Sequence, residues 1–323
     1  MNQEISWRNF GLDLVRVTET AALAAGRWVG SGNYQSAHRA ASLAMAAALD
    51  TLDIDGYIVI GEDDYKGNGS SLRSLKQVGT GDGPEVDVVV DPIDGTKLLI
   101  NGRPGAIAVI GVAPRGSMWS PVPAHYMDKI VVDREAAHAL VPQCMDAPAA
   151  WTLALIARVK KKSVQDLTVM VLERPRHRDL IHEIRTAGAR ILLRDEGDTE
   201  GALVAATPGT GVDVLMGIGG ASQGVIAACA VKALGGGMLA RLAPQSEEER
   251  AEIQKAGLDS QRIMTCKEII QSNNIFFSAT GITDSELLDP MRFHGTFAET
   301  HSLLLRAETG TRRFIQAEHS ARI

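Results

Sequence analysis

The segment VDVVVDPIDGT, residues 86–96, limits what this chain can fold into more than any other. A valine-rich run of strand length, interrupted only by Asp87, leads straight into Asp91 and Asp94. A strand that is apolar at successive positions is buried on both faces, so its sheet must be covered from both sides. Asp91 and Asp94 then stand at the end of a buried strand, with Pro92 fixing one backbone angle between them. Gly95 permits a tight turn into a following helix. Such a turn can aim both carboxylates and the Ile93 carbonyl at one point. The N–H groups of Gly95 and Thr96 would open a helix N-terminus, a ready site for an anion. Carboxylates with a carbonyl are hard oxygen ligands that suit Mg²⁺ or Mn²⁺. An isolated DPxD reads as a turn with a helix cap. The whole string behind a buried strand reads as a turn that holds a cation and a phosphate.

A second acidic cluster, Gly61-Glu62-Asp63-Asp64, ends the apolar run at 57–60. If the two strands are neighbours, Glu62 meets Asp91 at one end of the sheet. Two divalent ions about 3.5–4 Å apart could then share Asp91 and activate a water. Taken alone, the cluster is a solvated acidic turn.

The rest of the chain sets bounds. The 323 residues carry a net charge of -6, so no basic surplus faces a nucleic-acid backbone. Hydrophobic residues are 45%, which excludes a disordered chain. Cys144, Cys229 and Cys266 are far apart and odd in number, which suggests a reduced, cytoplasmic setting. The first ten residues lack the pattern of a secretory leader, and no apolar run reaches the ~18 residues of a membrane span.

Helix periodicity appears over residues 12–29 and 40–52, then 178–186 and 222–234. Strand-length apolar runs appear at 57–60, 86–90, 107–112, 129–132, 167–172, 191–193, 212–216, 274–278 and 302–306. This mixture predicts a mixed α/β fold of layered sheets and helices. The string DAPAA suggests a cut between residues 1–148 and 149–323, and SEEERAE at 246–252 reads as a solvated helix face. Arg174 and Arg176, on either side of Pro175, can grip a phosphate by bidentate bonds, or are simply surface arginines. His177 suits a helix cap. Glu196-Gly197-Asp198 suits a sugar-hydroxyl clamp or a capped turn. GIGG at 217–220 has Ser222 at the third glycine position, so it is no dinucleotide loop.

Together these strings resemble the class II fructose-1,6-bisphosphatases, within the metal-dependent, lithium-sensitive sugar-phosphatase superfamily. The similarity runs from VRVTE (15–19) and VGTGDGPEVD (78–87) through DPIDGT, YMDK (126–129), RPRH (174–177) and EGD (196–198). It continues to GIGG, FSATGIT (277–283) and THSLLLR (300–306). The resemblance implies an αβαβα sandwich, a cytosolic homo-oligomer (dimer or tetramer), dependence on Mg²⁺ or Mn²⁺, and hydrolysis of the 1-phosphate of fructose 1,6-bisphosphate. It assigns Glu62, Asp91 and Asp94 to metal, with Asp64 as a further acid. Gly95 and Thr96 fall to the reacting phosphate. Tyr126, Arg174, Arg176, His177, Glu196, Gly197, Asp198 and Gly220 fall to the sugar or distal phosphate.

Two departures fall at the chemistry. Where the family carries a metal- and water-binding Asp, this chain has His38. Where it carries a ligating Glu after GIGG, this chain has Gln223, which offers only a neutral oxygen. His38 is a better ligand for Mn²⁺ than for Mg²⁺ and could act as a base toward water. The sequence therefore supports two readings. One is a sugar-bisphosphatase with a re-tuned site, in which Thr96, His38 and Asp91 do the chemistry. The other is an impaired relative that binds a sugar phosphate as a regulatory subunit.

Overall fold

The structure, a computed structural model, describes residues 10–62 and 72–320. Asp64 and the first nine residues therefore lie outside the described residues. Helices α1 (Phe10–Gly26) and α2 (Tyr34–Leu49) lead into β1 (Asp55–Ile60), β2 (Gln77–Val78) and β3 (Glu85–Asp94). After them come α3 (Thr96–Ile100), β4 (Ile107–Pro114), β5 (Tyr126–Val132) and α4 (Ala149–Lys160). β6 (Thr168–Leu172), α5 (Arg178–Thr186), β7 (Arg190–Arg194) and α6 (Asp198–Ala206) follow. Then come β8 (Val214–Gly220), α7 (Ala221–Ala233), β9 (Gly237–Leu242), α8 (Glu247–Lys255), β10 (Met264–Thr265) and α9 (Cys266–Ile269). The last strands are β11 (Phe276–Gly281), β12 (Arg292–His294), β13 (Phe297–Arg306) and β14 (Thr311–Ser320). Two mixed sheets with helices confirm the mixed α/β class. No helix among the described residues is long and apolar enough to cross a membrane.

The chain divides into two compact units, one of residues 1–118 with 272–323, the other of residues 119–271. The cut expected at 148/149 falls inside the second unit. What looked like a break there is Pro148 preceding the first turn of α4, a position where its fixed φ suits a helix start.

In the first unit the sheet order is β2-β1-β3-β4-β11-β13-β12, with β14 paired to β13. Leu14, Val17 and Ala21 of α1 and Met45 and Leu49 of α2 pack on Val86, Val88, Val90, Ile110 and Val112. Helical and strand periodicities thus present matching apolar faces. β1 and β3 run parallel, with Ile60 opposite Val89, so the segments after both strands leave the same end of the sheet.

In the second unit the order is β10-β9-β5-β8-β6-β7. β6 is parallel to both β7 and β8, and β5 is antiparallel to β8. Leu153 and Ile156 of α4 and Ile184 of α5 share a core with Val169, Val171, Val214 and Leu239. The SEEERAE stretch does form a helix, α8, but its face is not wholly solvated. Glu249 is buried, and its carboxylate accepts from the backbone N–H groups of His125 (2.8 Å), Tyr126 (3.2 Å) and Gln245 (2.8 Å). That carboxylate fixes the start of β5.

Candidate active site

In open α/β sheets, ligands gather beyond the carboxyl ends of the parallel strands. Both units follow this rule. In the first, Glu62 follows β1, while Asp91 and Asp94 occupy the end of β3. The β3–β4 pairing slips between Asp91 and Asp94, where Pro92 interrupts the ladder. Asp91 Oδ1 accepts from Ile93 N (3.0 Å), and the Thr96 hydroxyl donates to the Ile93 carbonyl (3.2 Å). Gly95 takes φ +88°, a left-handed angle that glycine adopts without strain, and α3 starts at the next residue. Asp94 and Thr96 are buried beneath this turn.

α2 brings His38 to the same place. Its Nε2 lies 2.9 Å from Glu62 Oε1, and the Ser42 hydroxyl donates to the same oxygen at 2.5 Å. The bond to Glu62 raises the His38 pKa, aided by the charges of Glu62 and Asp91 and opposed by burial. The charge of Asp91 is therefore felt at His38. A raised pKa favours imidazolium, the wrong form for a general base. Tyr34 stacks on the ring, with centroids 5.8 Å apart and planes 13° from parallel.

This arrangement tests the donor set. Among the described residues, no three His, Cys, Asp or Glu side chains converge as metal ligands do. The Glu62 oxygen that should face a cation instead faces a ring nitrogen and a hydroxyl. As placed, the described residues of this site do not fit a divalent ion.

In the second unit, Arg174–His177 follow β6, Glu196–Asp198 follow β7, and Gly220 ends β8 with Gln223 just after it. Tyr126, at the start of β5, pairs with Gly220. The Arg176 Nε and Nη2 groups both donate to the Ile218 carbonyl (3.2 and 2.9 Å), and its guanidinium carbon lies 5.0 Å from the centre of the Tyr126 ring. Burial lowers its pKa from the ordinary arginine value. Arg174 is half-buried and donates to the Glu173 carbonyl.

His177, assigned by resemblance to the substrate, is buried and fully engaged with backbone. Nδ1 lies 2.6 Å from the Leu172 carbonyl, and Nε2 accepts from Ile218 N at 2.8 Å. These bonds fix a neutral tautomer with no nitrogen left for a ligand. Burial, the leading cause, lowers its pKa. Its effect on the site is indirect, since it holds the loop whose Ile218 carbonyl orients Arg176.

Asp198 opens α6 behind Gly197, which is left-handed like Gly95. Its carboxylate meets Lys129 Nζ at 2.5 Å, and the Lys129 side chain is 0% exposed. Sequence reasoning assigned Lys129 no role. The signal lay in its position, a lone lysine inside the β5 run. The pair needs the bare backbone of Gly219. A Cβ there would collide with the Asp198 carboxylate and lie 2.6 Å from Lys129 Nζ. Gly219→Ala is expected to cost about 1–3 kcal/mol by overpacking, read as a lower thermal midpoint. Gly220 is tight in the same way, since a Cβ there would collide with Gln223 Oε1. Gln223 therefore sits against its own loop in the second unit, at the first turn of α7.

Comparison with known proteins agrees with this geometry. The family model described as bacterial fructose-1,6-bisphosphatase, glpX-encoded, matches residues 8–319. The chain is 35% identical to the D-fructose 1,6-bisphosphatase class 2/sedoheptulose 1,7-bisphosphatase of Synechococcus sp. (strain JA-2-3B'a(2-13)), over 96% of this chain and 95% of that one. It is also 35% identical to the fructose-1,6-bisphosphatase 1 class 2 of Escherichia coli (strain K12), over 97% of this chain and 95% of that one. These enzymes are metal-dependent phosphatases. A match over nearly the whole chain, with acidic and basic loops at the carboxyl ends of parallel strands, places the chain in the class II fructose-1,6-bisphosphatase family.

Proposed function

We propose that this chain is a phosphoric monoester hydrolase that removes the 1-phosphate of fructose 1,6-bisphosphate, the sugar bisphosphate its relatives are named for. The observation that carries this reading is the segregation of chemistry. Glu62 lies beyond β1 and Asp91 and Asp94 at the end of β3, and a guanidinium-rich loop lies beyond β6. In this assignment the Gly95–Thr96 turn holds the reacting phosphate, with the Thr96 hydroxyl and Asp91 orienting the attacking water. Arg174 and Arg176 hold the distal phosphate, with Tyr126 beneath Arg176. Glu196, Gly197, Asp198 and Gly220 contact the sugar. The ion implied is Mg²⁺ or Mn²⁺; it would bind only after the His38–Glu62 contact opens, and a freed imidazole would then favour Mn²⁺. We place the protein in the cytoplasm as a homo-oligomer, and its three unpaired cysteines suit a reducing compartment.

A second reading, an impaired relative that binds a sugar phosphate, has one specific observation in its favour: the His38–Glu62 bond occupies an oxygen that catalysis needs. Phosphate release from fructose 1,6-bisphosphate separates the two. The native chain is expected to turn over slowly, faster with Mn²⁺ than with Mg²⁺. The His38→Asp/Gln223→Glu variant is expected to gain at least tenfold. A native chain with fast Mg²⁺-driven turnover, lost in the double variant, contradicts the altered-site account. No release from either chain, with sugar-phosphate binding retained, favours the regulatory reading.

A further inference from the structure

Among the described residues β14 is an edge strand, ten residues long and paired to β13 over its whole length without a register shift. Proteins usually blunt such edges with proline, bulges, very short strands or charges, and of these β14 carries only charges, of both signs. β14 has no proline and no bulge, whereas β2, at the opposite edge, is two residues long. The N–H of Ala307 donates to Ile275 on the far side of β13. By alternation, Arg306 and Thr311 face each other, and Arg312, Phe314, Gln316 and Glu318 turn their backbone groups outward. The side chains of those four outward-turned residues are exposed, Phe314 to 45%. On the inner side, His319 is tied through Thr300 (2.8 Å) toward Glu19 of α1, which anchors the strand.

The charges on this edge are sorted along it. Arg312 lies near its start and Glu318 near its end, and among the described residues neither has an ion-pair partner within 4 Å. An antiparallel copy of the same strand reverses that order. Self-pairing about a two-fold axis requires opposite residues of like parity, because both must turn their backbone groups toward the partner or both away. An axis through Ile315 meets this rule and sets Arg312 opposite Glu318 of the second copy, twice. It also sets Phe314 opposite Gln316. An axis through Gln316 would set Phe314 opposite Glu318 instead, leaving both charges without a complement.

We propose that two copies of this chain join edge to edge through β14, in the register that centres on Ile315, so that the sheets of two first units become one. This deepens the homo-oligomer reading and does not depend on catalysis, since the readout is mass. Light scattering of the full chain after size exclusion should give a dimer, or a larger even assembly. Arg312→Glu and Glu318→Arg, both at exposed positions, should each raise the dissociation constant at least tenfold while leaving the thermal transition of the fold in place. The reciprocal variant Arg312→Glu/Glu318→Arg should restore assembly. A monomeric native chain, single variants that assemble as the native does, or a reciprocal variant that stays dissociated would each overturn the proposal. Unchanged phosphate release in a dissociated variant would leave the catalytic reading standing.

Discussion

Lys129→Met should be the most destabilising conservative substitution in the second unit, costing about 3–5 kcal/mol, because it strands the Asp198 carboxylate without its cation. Lys129 is wholly buried, and its ammonium meets that carboxylate at 2.5 Å. Methionine keeps the length of the stem but removes the charge. At roughly 2–4 °C per kcal/mol, the thermal midpoint should fall by about 10 °C. Lys129→Met/Asp198→Leu should recover most of that loss, since an apolar pair of similar volume replaces a buried ion pair with little penalty. If Asp198 touches the sugar, the double variant will be stable yet bind fructose 1,6-bisphosphate weakly. A loss below about 1 kcal/mol in the single variant would mean that water reaches the pair and screens it.

That pair also marks the limit of what the sequence reveals. Residues 178–186 were readable as a helix because apolar periodicity and the following Gly188 agree, and α5 has those bounds. The β3 run and the DPIDGT turn were readable because each local signal points to the same structure. The failures have physical causes. The α4 helix was passed over because DAPAA looks like a break, although proline is well placed before a helix. β14 is not legible because an edge strand exposed on one face and only half-buried on the other has no apolar alternation for a period-two search to detect. Glu249 looked like one more surface acid, yet its carboxylate bonds backbone groups far along the chain. The site residues were readable by type but not by partner. Nothing local says that His38 reaches Glu62, that Lys129 reaches Asp198, or that both His177 nitrogens go to backbone. Those pairings are set by sheet order and by which strands run parallel.

The His38–Glu62 bond carries the second large expected effect, and it can be measured without turnover. In the native chain the imidazole and the Ser42 hydroxyl satisfy Glu62 Oε1, so the acidic end of the first sheet is stable as it stands. His38→Asp replaces an attraction with a repulsion beside Asp91. Two carboxylates about 4 Å apart repel by about 1–4 kcal/mol, depending on how much water reaches them, and the half-exposed position of His38 argues for the middle of that range. Without added metal, the variant should melt lower than the native chain. Mn²⁺ should reverse the order, because the carboxylate introduced at position 38 joins Glu62, Asp91 and Asp94 in a hard set of four acids, one more than the native chain has. At a hundredfold excess over its dissociation constant, an ion that binds only the folded state adds about 2.7 kcal/mol, or roughly 5–10 °C. The native chain should gain much less, because its imidazole occupies the oxygen that the ion needs. Equal gains in both proteins would mean that the ring swings aside at little cost, and the substitution at position 38 would then no longer account for weak metal binding.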